Sequence, residues 1–502
     1  MLEERKTEKF LFDLKPVGDI NKDKKIIQVM LKVCLPLLEG RVERYNVFED
    51  YYYNKTDVLG KVKVQQEYIN NKIAIGYPSL AVITLTGNCI GNKLTYASRK
   101  SATDIANKIK MLNDSFDDDN YHSKTTLMAL NSGIYSTGYK LVIPANKNDL
   151  KNNIYFKTKA SLSPKKNFCV YFNDVEEEKI FGVNVKSKKF YNKTLTGYTE
   201  RDVYTIWTKY HQWQCYAFGN GYKFIEQQNG IIAYPIVSKR IPLVENFRKP
   251  DGTNDFELAF DLINAVNALA STRVDAVQQT VDFLVLLRDI DTESEGALSR
   301  VKEQIRQGIM SFKSNEGAVV QPSVDILSIK LNQTEVQTLQ DFLCKKIEEV
   351  LFIPNRDNSN SIGGDTGIAV ENRNGFRSLS NISGLILTNI LEVENEVLDI
   401  ILAICDNITS CPFKGLRPND VEIKDNIMRT ENIQMSANAY STLRNAGMAD
   451  EIALLITGVV PDPMSVAGIN KKEKEKNGLN DNSKNVQPNI NKFDSNSNNA
   501  VE

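Results

Sequence analysis

Apolar residues at helical spacing mark the first eighty positions of the chain. From about residue 22 to 80 they recur at steps of three and four, which predicts helix, and a Tyr-rich hinge at residues 51–53 leads to a second apolar segment. The apolar positions that define the first helix are Ile26, Ile27, Met30, Val33 and Leu37.

Residues 84–250 follow a different pattern, in which short runs rich in Val, Ile, Tyr and Phe are separated by Gly, Asn, Asp and Lys. Such spacing is typical of strands joined by hairpins. The runs are Lys140–Pro144, Phe168–Phe172, Val203–Trp207 and Cys215–Phe218. The sequence therefore predicts an α+β fold whose body contains much antiparallel sheet.

Helical spacing returns after residue 252 and predicts two helices that flank an insertion. The first helix runs to residue 281 and leads into a strand at Phe283–Leu287, and the second ends at Pro354. Between them lies a compact charged insertion at residues 288–330. The apolar positions of the two helices are Leu258, Leu262, Ala265, Leu269, Val274, Val277 and Val281, then Val336, Leu339, Leu343, Ile347 and Val350. An insertion carried on two helices projects from the body as a stalk.

The strongest periodic signal lies further along the chain. Apolar residues from Phe376 to Ile404 step by three and four and predict one helix of about 30 residues, roughly 45 Å long. The stripe is longer than the small core of one subunit requires, so we expect part of it to pack between neighbouring copies of the chain. The residues expected there are Phe376, Ile386, Ile390 and Val397. An ordinary buried core helix is the alternative.

Two polar segments frame this helix and the region after it. Residues 355–367 hold almost no apolar side chain, and thirteen residues are long for an ordinary turn. Two or three shorter helices are predicted within residues 418–465. The last 32 residues contain nine Asn and few apolar side chains, which predicts a disordered tail.

Composition and charge exclude several classes of function. The chain has 502 residues, and 62 Lys and Arg against 63 Asp and Glu give a net charge of −1, which excludes a protein that grips nucleic acid over its whole surface. Seven scattered Cys without a CxxC pair indicate a reduced intracellular chain. The sequence shows neither the apolar core of a signal peptide nor an apolar run long enough to span a membrane, so no membrane partner is expected.

Catalytic motifs are missing as well. Neither a P-loop nor a dinucleotide-binding glycine motif occurs, so ATP hydrolysis is not expected. Asp365-Thr366-Gly367 has the letters of an aspartic protease motif, but two glycines precede it and it has no second copy. His211, one of only two histidines, lies between Trp207 and Trp213, where packing is the preferred interpretation. We therefore predict no catalytic residue, no metal site and no cofactor.

Several short segments, taken in order, resemble the portal proteins of tailed double-stranded DNA phages, particularly those of phages that infect Gram-positive bacteria. The resemblance covers about residues 45–465, with departures at Asn54, Asn264 and Val266. The segments are Phe48–Tyr53 followed by Asn70–Ile73, Ile241–Phe247, Leu262–Asn267 with Ser271, and Ile362–Ala369. Each is short, so the collinear set carries the resemblance.

The resemblance implies a portal fold and a ring of twelve subunits. Its parts would be a mixed α/β wing with N-terminal helices and antiparallel sheet (1–253), a stem helix (254–281), a clip (282–331), a second stem helix (332–353), a tunnel loop (354–367), a long wing helix (368–409), a helical crown (410–470) and the tail (471–502). The ring would occupy one capsid vertex of the virion after assembly in the host cytoplasm.

The resemblance also implies partners and site residues. The partners would be double-stranded DNA passing through the channel, the terminase packaging motor, a head–tail adaptor, and the major capsid and scaffolding proteins. In the tunnel loop we expect transient DNA contacts and glycine hinges at Asn355, Arg356, Asn358, Asn360, Gly363, Gly364 and Gly367. In the clip we expect salt-sensitive docking of the motor or adaptor at Glu293, Glu295, Arg300, Lys302 and Arg306, with a solvated charged face as the alternative.

Two other functions stay open at this point. One is a different ring protein of the head–tail connector, against which the chain length and the stalk argue. The other is a DNA-processing enzyme of the packaging motor, against which the missing phosphate loop argues.

Overall fold

The fold was analysed in a computed structural model, which describes residues 9–63, 69–99, 103–191, 197–226, 231–281, 284–288, 296, 299–300, 303, 323–327, 333–354, 375–424, 433–457, 466–468 and 470. Helix and sheet are both extensive in these ranges, as an α+β fold requires. The helices are α1 (Ile20–Tyr52), α2 (Tyr77–Ile90), α3 (Thr103–Asp118), α4 (Tyr121–Tyr135), α5 (Lys147–Lys151), α6 (Phe260–Val281), α7 (Gln333–Val350), α8 (Phe376–Cys405), α9 (Ile433–Asn445) and α10 (Asp450–Thr457).

The strands form one large sheet and three small ones. The strands are β1 (Phe10–Phe12), β2 (Thr95–Ser98), β3 (Thr137–Pro144), β4 (Phe156–Lys159), β5 (Asn167–Phe172), β6 (Lys179–Tyr191), β7 (Tyr198–Trp207), β8 (His211–Phe218), β9 (Gly221–Phe224), β10 (Ala233–Pro235), β11 (Leu243–Phe247), β12 (Leu284–Arg288), β13 (Ser323–Leu327) and β14 (Val421–Lys424). All four strand-like runs of the sequence fall inside β3, β5, β7 and β8, which confirms those predictions.

The large sheet has the order β1-β5-β6-β7-β8-β10, with β9 added on β8. Only its β1–β5 pair is parallel, so the body is an antiparallel meander in which strands consecutive in the chain lie side by side. Helix α1 covers one face of this sheet with Ile27, Met30 and Cys34, and these side chains share a core with Phe168 and Trp213. Burial of these apolar surfaces fixes the helix on the sheet.

Helix α1 differs from its prediction in two respects. It continues without a break to Tyr52, so residues 51–53 form its last turn and cap rather than a hinge. Its buried stripe is also shifted by one position, because Cys34 and Leu38 are buried while Val33 and Leu37 remain exposed. Apolar residues also stand next to those of the predicted row, so spacing alone could not show which of the two rows is buried.

Three helices, α3, α4 and the short α5, lie within the region that the sequence pattern assigned to strands. Helices α3 and α4 precede β3, and together with β2 they pack against the end of α8. The helical spacing of α3 was present in its buried and half-buried apolar residues, Ile105, Ile109, Leu112 and Phe116, but the polar residues between them resemble turn sequence. The prediction for this stretch was therefore wrong.

The long helix α8 is the centre of the second core. It spans 30 residues from Phe376 to Cys405, as its apolar stripe predicted. It packs against α2 and against the three-stranded sheet β11-β3-β4. The chain then returns through β14, which pairs antiparallel with β2. Residues 421–424, assigned to the crown from the resemblance, thus form a two-stranded sheet with β2, which lies in the segment expected to be the wing.

Candidate assembly and channel sites

Residues 355–367 of the expected tunnel loop lie outside the described residues, but the two residues that flank the undescribed stretch 355–374 are defined. Asn355, Arg356, Asn358, Asn360, Gly363, Gly364 and Gly367 all belong to the part of the chain that is not described. The chain leaves α7 through Pro354 and re-enters at Gly375, just before α8. A Cβ atom built on Gly375 would lie 3.9 Å from the Cα atom of Pro354. The segment of the sequence between them therefore begins and ends at one point of the fold.

The clip is anchored in the same way. Strands β12 and β13 pair antiparallel, with Leu284 opposite Leu327 and Arg288 opposite Ser323, so the two ends of the insertion are joined. Arg300 is exposed, and its backbone N–H donates to the carbonyl oxygen of Gly296 at 3.1 Å. The other clip residues expected at the docking face, Glu293, Glu295, Lys302 and Arg306, are outside the described residues.

The helices expected to form the stem, α6 and α7, expose part of the apolar stripes that their periodicity singled out, while Ile347 is buried. They contact one another through Arg273, whose guanidinium donates to the side-chain oxygen of Gln340 at 2.9 Å. Val277 on α6 is 50% exposed, and Leu339 and Phe342 on α7 are 50% and 54% exposed. Isolated exposed apolar residues are common, but several of them on two packed helices are a candidate surface for contact with another protein chain.

The other side of α6 binds an extended segment, residues 69–76, through a regular ladder of side chains. The backbone N–H of Asn71 donates to Asp275 at 2.7 Å, that of Ile73 to the Ser271 hydroxyl at 2.9 Å, and that of Ile75 to the Asn267 carbonyl oxygen at 2.9 Å. Every second residue of the segment thus meets every fourth residue of the helix. The spacing matches because two residues of extended chain advance about 6.6 Å and four helical residues advance about 6 Å.

This ladder joins two motifs that the sequence presented separately. Asn71 and Ile73 belong to the Asn-Asn-Lys-Ile segment, and Asn267 and Ser271 belong to the helix motif about 200 residues later. Side-chain oxygens here satisfy backbone donors that would otherwise be left without a partner in a segment that has no strand beside it. The ladder is thus the structural role of both motifs.

Asp275, at one end of the ladder, is a charged side chain. Its carboxylate accepts from Lys61 at 2.9 Å and from both nitrogens of Asn71. Burial alone would raise its pKa, but the hydrogen bonds from Lys61 and Asn71 prevail and lower the pKa from 3.8 to about 2. The carboxylate is therefore charged at any physiological pH, and it ties the segment before α2 to the stem.

The four residues expected to pack between subunits divide into two groups. Ile386, Ile390 and Val397 are buried in the core of their own chain, with 1%, 0% and 0% of their surface exposed. Phe376 is 42% exposed at the start of α8. The burial of the first three residues supports the alternative that this side of α8 belongs to the core of its own chain. Phe376 and the exposed face that carries Leu385 are left for contact with a neighbouring copy.

A buried ion pair interrupts the apolar side of α8. The carboxylate of Glu394 accepts from the Nζ atom of Lys140 on β3 and from the hydroxyl of Tyr121, and the Tyr96 hydroxyl lies 3.3 Å from it. Lys140 also donates to the Thr125 hydroxyl at 2.6 Å. Both charged side chains are fully enclosed, with no exposed side-chain surface.

The surroundings set the protonation of this network. Burial lowers the pKa of Lys140 below its usual value, although Glu394 opposes that shift. Burial and the adjacent Glu394 raise the pKa values of Tyr96 and Tyr121 well above their usual range, so both hydroxyls stay protonated and can donate. Sequence reasoning did not single out Glu394. The available signal was a carboxylate four residues after Ile390 on the same face of the helix.

Metal-ligating side chains do not cluster in the described part of the chain. No group of three or more His, Cys, Asp or Glu is placed to hold a metal ion in the parts of the chain that are described. His211 is half-buried in β8, and its backbone N–H donates to the Thr208 hydroxyl at 2.9 Å. A search of the helices within the described ranges found none that is long and apolar enough to cross a bilayer.

One comparison with known proteins identifies relatives of the chain. The model of the family described as phage portal protein, SPP1 Gp6-like, matches residues 31–489. The match includes the stem helices, both ends of the tunnel loop, and α8. No curated protein matches the sequence at a significant level.

Proposed function

Because the chain belongs to the family of SPP1 Gp6-like phage portal proteins, we propose that twelve copies form a closed ring at one capsid vertex, through which DNA is packaged and later ejected. Members of this family are structural proteins of the virion and serve in genome packaging. The ring would also be the platform for the terminase motor and the head–tail adaptor, and would contact the capsid and scaffolding proteins.

The observation that carries the proposal is the exposed apolar row on the stem. Val274, Val277, Leu339 and Phe342 lie on two long helices that are already packed against each other and against residues 69–76. Because these side chains are exposed, about one side of the stem is available for contact with a second copy of the chain. A contact between different faces of neighbouring copies closes into a ring when the rotation between them divides a full turn.

The arrangement of the loop and clip supports a channel. The tunnel loop starts where the stem ends, so a ring formed through the stem helices brings one such loop per subunit to the same height. Each polar side chain then becomes a ring of identical groups. Weak, sequence-independent contacts suit a conduit, because each phosphate that is neutralised adds affinity that must be broken as the DNA moves.

End-on electron microscopy of the purified protein tests the ring directly. We expect closed rings from the natural chain and monomers from Val277→Asp with Phe342→Asp, because each substitution would place a charge in the apolar contact. Val175→Asp is the matched control, since Val175 is fully exposed in a turn far from the stem. Rings of normal size from the stem variant would contradict this assembly surface, and their absence from the natural chain would contradict the portal function.

The enzymatic alternative is tested separately. Turnover of ATP by the purified chain, retained after removal of trace contaminants, would favour a packaging enzyme. We expect none. A ring that binds tail components but supports no DNA packaging would favour another connector protein.

A further inference from the structure

One face of the large sheet carries charge that the proposed ring contacts do not use. Lys186 and Lys188 on β6, Arg201 on β7 and Lys223 on β9 form what we call the cationic face. Lys188 is directly opposite Arg201, and Lys186 begins a row that crosses Val203 and Tyr216 and ends at Lys223. Residues paired across antiparallel strands point to the same side of the sheet, so all four cations share one face.

Aromatic rings support these cations. The guanidinium of Arg201 lies 5.0 Å from the ring centre of Tyr216 and 5.9 Å from that of Phe218. The Nζ atom of Lys223 lies 5.8 Å from the ring centre of Phe218, and the rings of Phe190 and Tyr216 are 5.4 Å apart. These cation–π contacts hold two of the four cations, Arg201 and Lys223, over the sheet, which reduces the entropy that these side chains lose when they bind a ligand.

The carboxylates of these strands lie on the opposite face. Glu200 is opposite Lys189, and Asp202 accepts a hydrogen bond from Ser187. Within the described part of the chain no acidic side chain forms an ion pair with any member of the cationic face. The side chains that continue this face toward the centre of the sheet are neutral, namely Asn184, Thr205 and Gln214. Four positive charges therefore lie together on a chain whose net charge is close to zero.

We propose that the cationic face binds the phosphate backbone of double-stranded DNA without sequence preference, an inference that rests on the proposed function because the portal ring is what brings DNA to this surface. Lys186 and Lys188 are about 6.8 Å apart along the strand, and a duplex carries one charge per about 1.7 Å of its axis, so several phosphates fit against the face. The face carries four cations and, in the described part of the chain, no apolar groove of the kind that an acidic helix would need, so charge is what it offers to a ligand.

The salt dependence of DNA binding by the assembled ring tests this inference. The probe is a fluorescent duplex of roughly 20 base pairs, about two helical turns. In the variant Lys186→Gln, Lys188→Gln and Lys223→Gln, three cations are neutralised while Arg201 is kept for packing. Each phosphate contact contributes about 0.9 to the slope of log affinity against log salt, so we expect the slope between about 50 and 200 mM salt to fall by about 2.7.

The control carries the same change of charge elsewhere. Lys22, Lys25 and Lys32 are exposed on α1, and their replacement by Gln should leave the slope unchanged. An equal loss in both variants, or no loss in either, would overturn the proposal. The proposal would also be overturned if polyglutamate displaced the fluorescent duplex at a lower concentration of negative charge than unlabelled duplex does. That result would point to an acidic protein as the occupant.

The same samples separate this inference from the proposed function. Closed rings with an unchanged salt slope would contradict the cationic face alone. A natural chain that forms no rings would contradict the portal function, whatever the DNA affinity of the face.

Discussion

The side-chain oxygen of Asn267 accepts a hydrogen bond of 2.9 Å from the backbone N–H of Ile75, 192 residues earlier in the chain. The amide of Asn267 also donates to the Thr56 hydroxyl at 3.1 Å, so one buried side chain connects three segments. Helix α6 is therefore held to the N-terminal part of the chain by hydrogen bonds as well as by apolar contact.

The variant Asp275→Asn should lower the free energy of unfolding by about 2 kcal/mol at neutral pH, because a pKa depressed from 3.8 to about 2 corresponds to that amount. A depressed acid contributes stability above its unfolded pKa and loses it as pH falls through the folded value. The difference from the natural chain should thus disappear between about pH 4 and pH 2. Urea unfolding at pH values at both ends of this range measures the difference in the free energy of unfolding. Asp341→Asn is the control, because Asp341 is exposed.

The variant Glu394→Gln should destabilise the chain by about 3–5 kcal/mol, because it leaves Lys140 buried and charged without an anion. Adding Lys140→Met should recover most of the loss. Asp399→Asn is the control on the same helix, since its ion pair with Arg240 is exposed and should be worth less than about 1 kcal/mol. Thermal unfolding of the four proteins provides the comparison, and equal losses in the single and double variants would contradict the ion-pair interpretation.

The same variant should show a distinct pH dependence. Without Glu394, burial lowers the pKa of Lys140 further below the unfolded value of about 10.4. The unfolded chain then binds more protons than the folded chain, so stability rises with pH until that value is reached. We expect the deficit of Glu394→Gln to shrink between about pH 7 and pH 10, and a constant deficit would show that Lys140 is not the cause.

Ile390→Asp should unfold the subunit itself rather than only separate the ring. Ile390 is fully buried in the core around α8, so an unpaired charge there costs several kcal/mol. Leu385→Asp on the same helix, at 67% exposure, should keep the melting temperature of the subunit. Circular dichroism reports the fold, and size-exclusion chromatography reports the ring. A folded monomer from Ile390→Asp would show that this residue belongs to the contact between subunits.

Replacing residues 356–361 by two glycines should leave rings and empty heads intact but reduce DNA packaging or retention. The variant removes Arg356 and the polar side chains expected to touch the moving DNA, while Pro354 and Gly375 keep their positions. Packaged DNA protected from nuclease is the measurement. Normal packaging would remove the assignment of these residues to the channel and leave the ring proposal unaffected.

Reversing Arg300, Lys302 and Arg306 to Glu should spare the ring and weaken binding of the motor or adaptor. Contacts between exposed charges are screened by salt, so the loss should be largest at low ionic strength. Pull-down of the adaptor by rings at two salt concentrations measures it. Unchanged binding at both concentrations would mean that the charges of the clip are only a solvated surface.

The sequence predicted the elements whose apolar spacing is strong and isolated. Helix α8 follows from the period of its apolar residues, and β5, β7 and β8 of the large sheet follow from short runs rich in Val, Ile, Tyr and Phe. Helix α3 was missed because its four apolar residues are separated by turn-forming side chains. Spacing also identified the apolar row on α6, but it could not tell whether Val274 and Val277 face the core or solvent, since an exposed subunit contact and a buried face share one pattern.

The side-chain networks could not be predicted from the sequence, for a different reason. The ladder between residues 71–75 and α6, and the pair of Lys140 and Glu394, join positions about 200 residues or more apart. Hydrogen bonds of this kind leave no period in the sequence. The motifs were visible as Asn-Asn-Lys-Ile and Asn267 with Ser271, but their contact required the fold.

The adjacency of Pro354 and Gly375 has a consequence for how such a protein can change over time. A connection whose ends already meet can gain or lose residues without moving α7 or α8, and doubling its length costs only about 0.6 kcal/mol in closure entropy. The residues proposed to line the channel and the helices that carry them can then vary independently. Homologous chains should accordingly differ more in the length and composition of this connection than in the helices on either side.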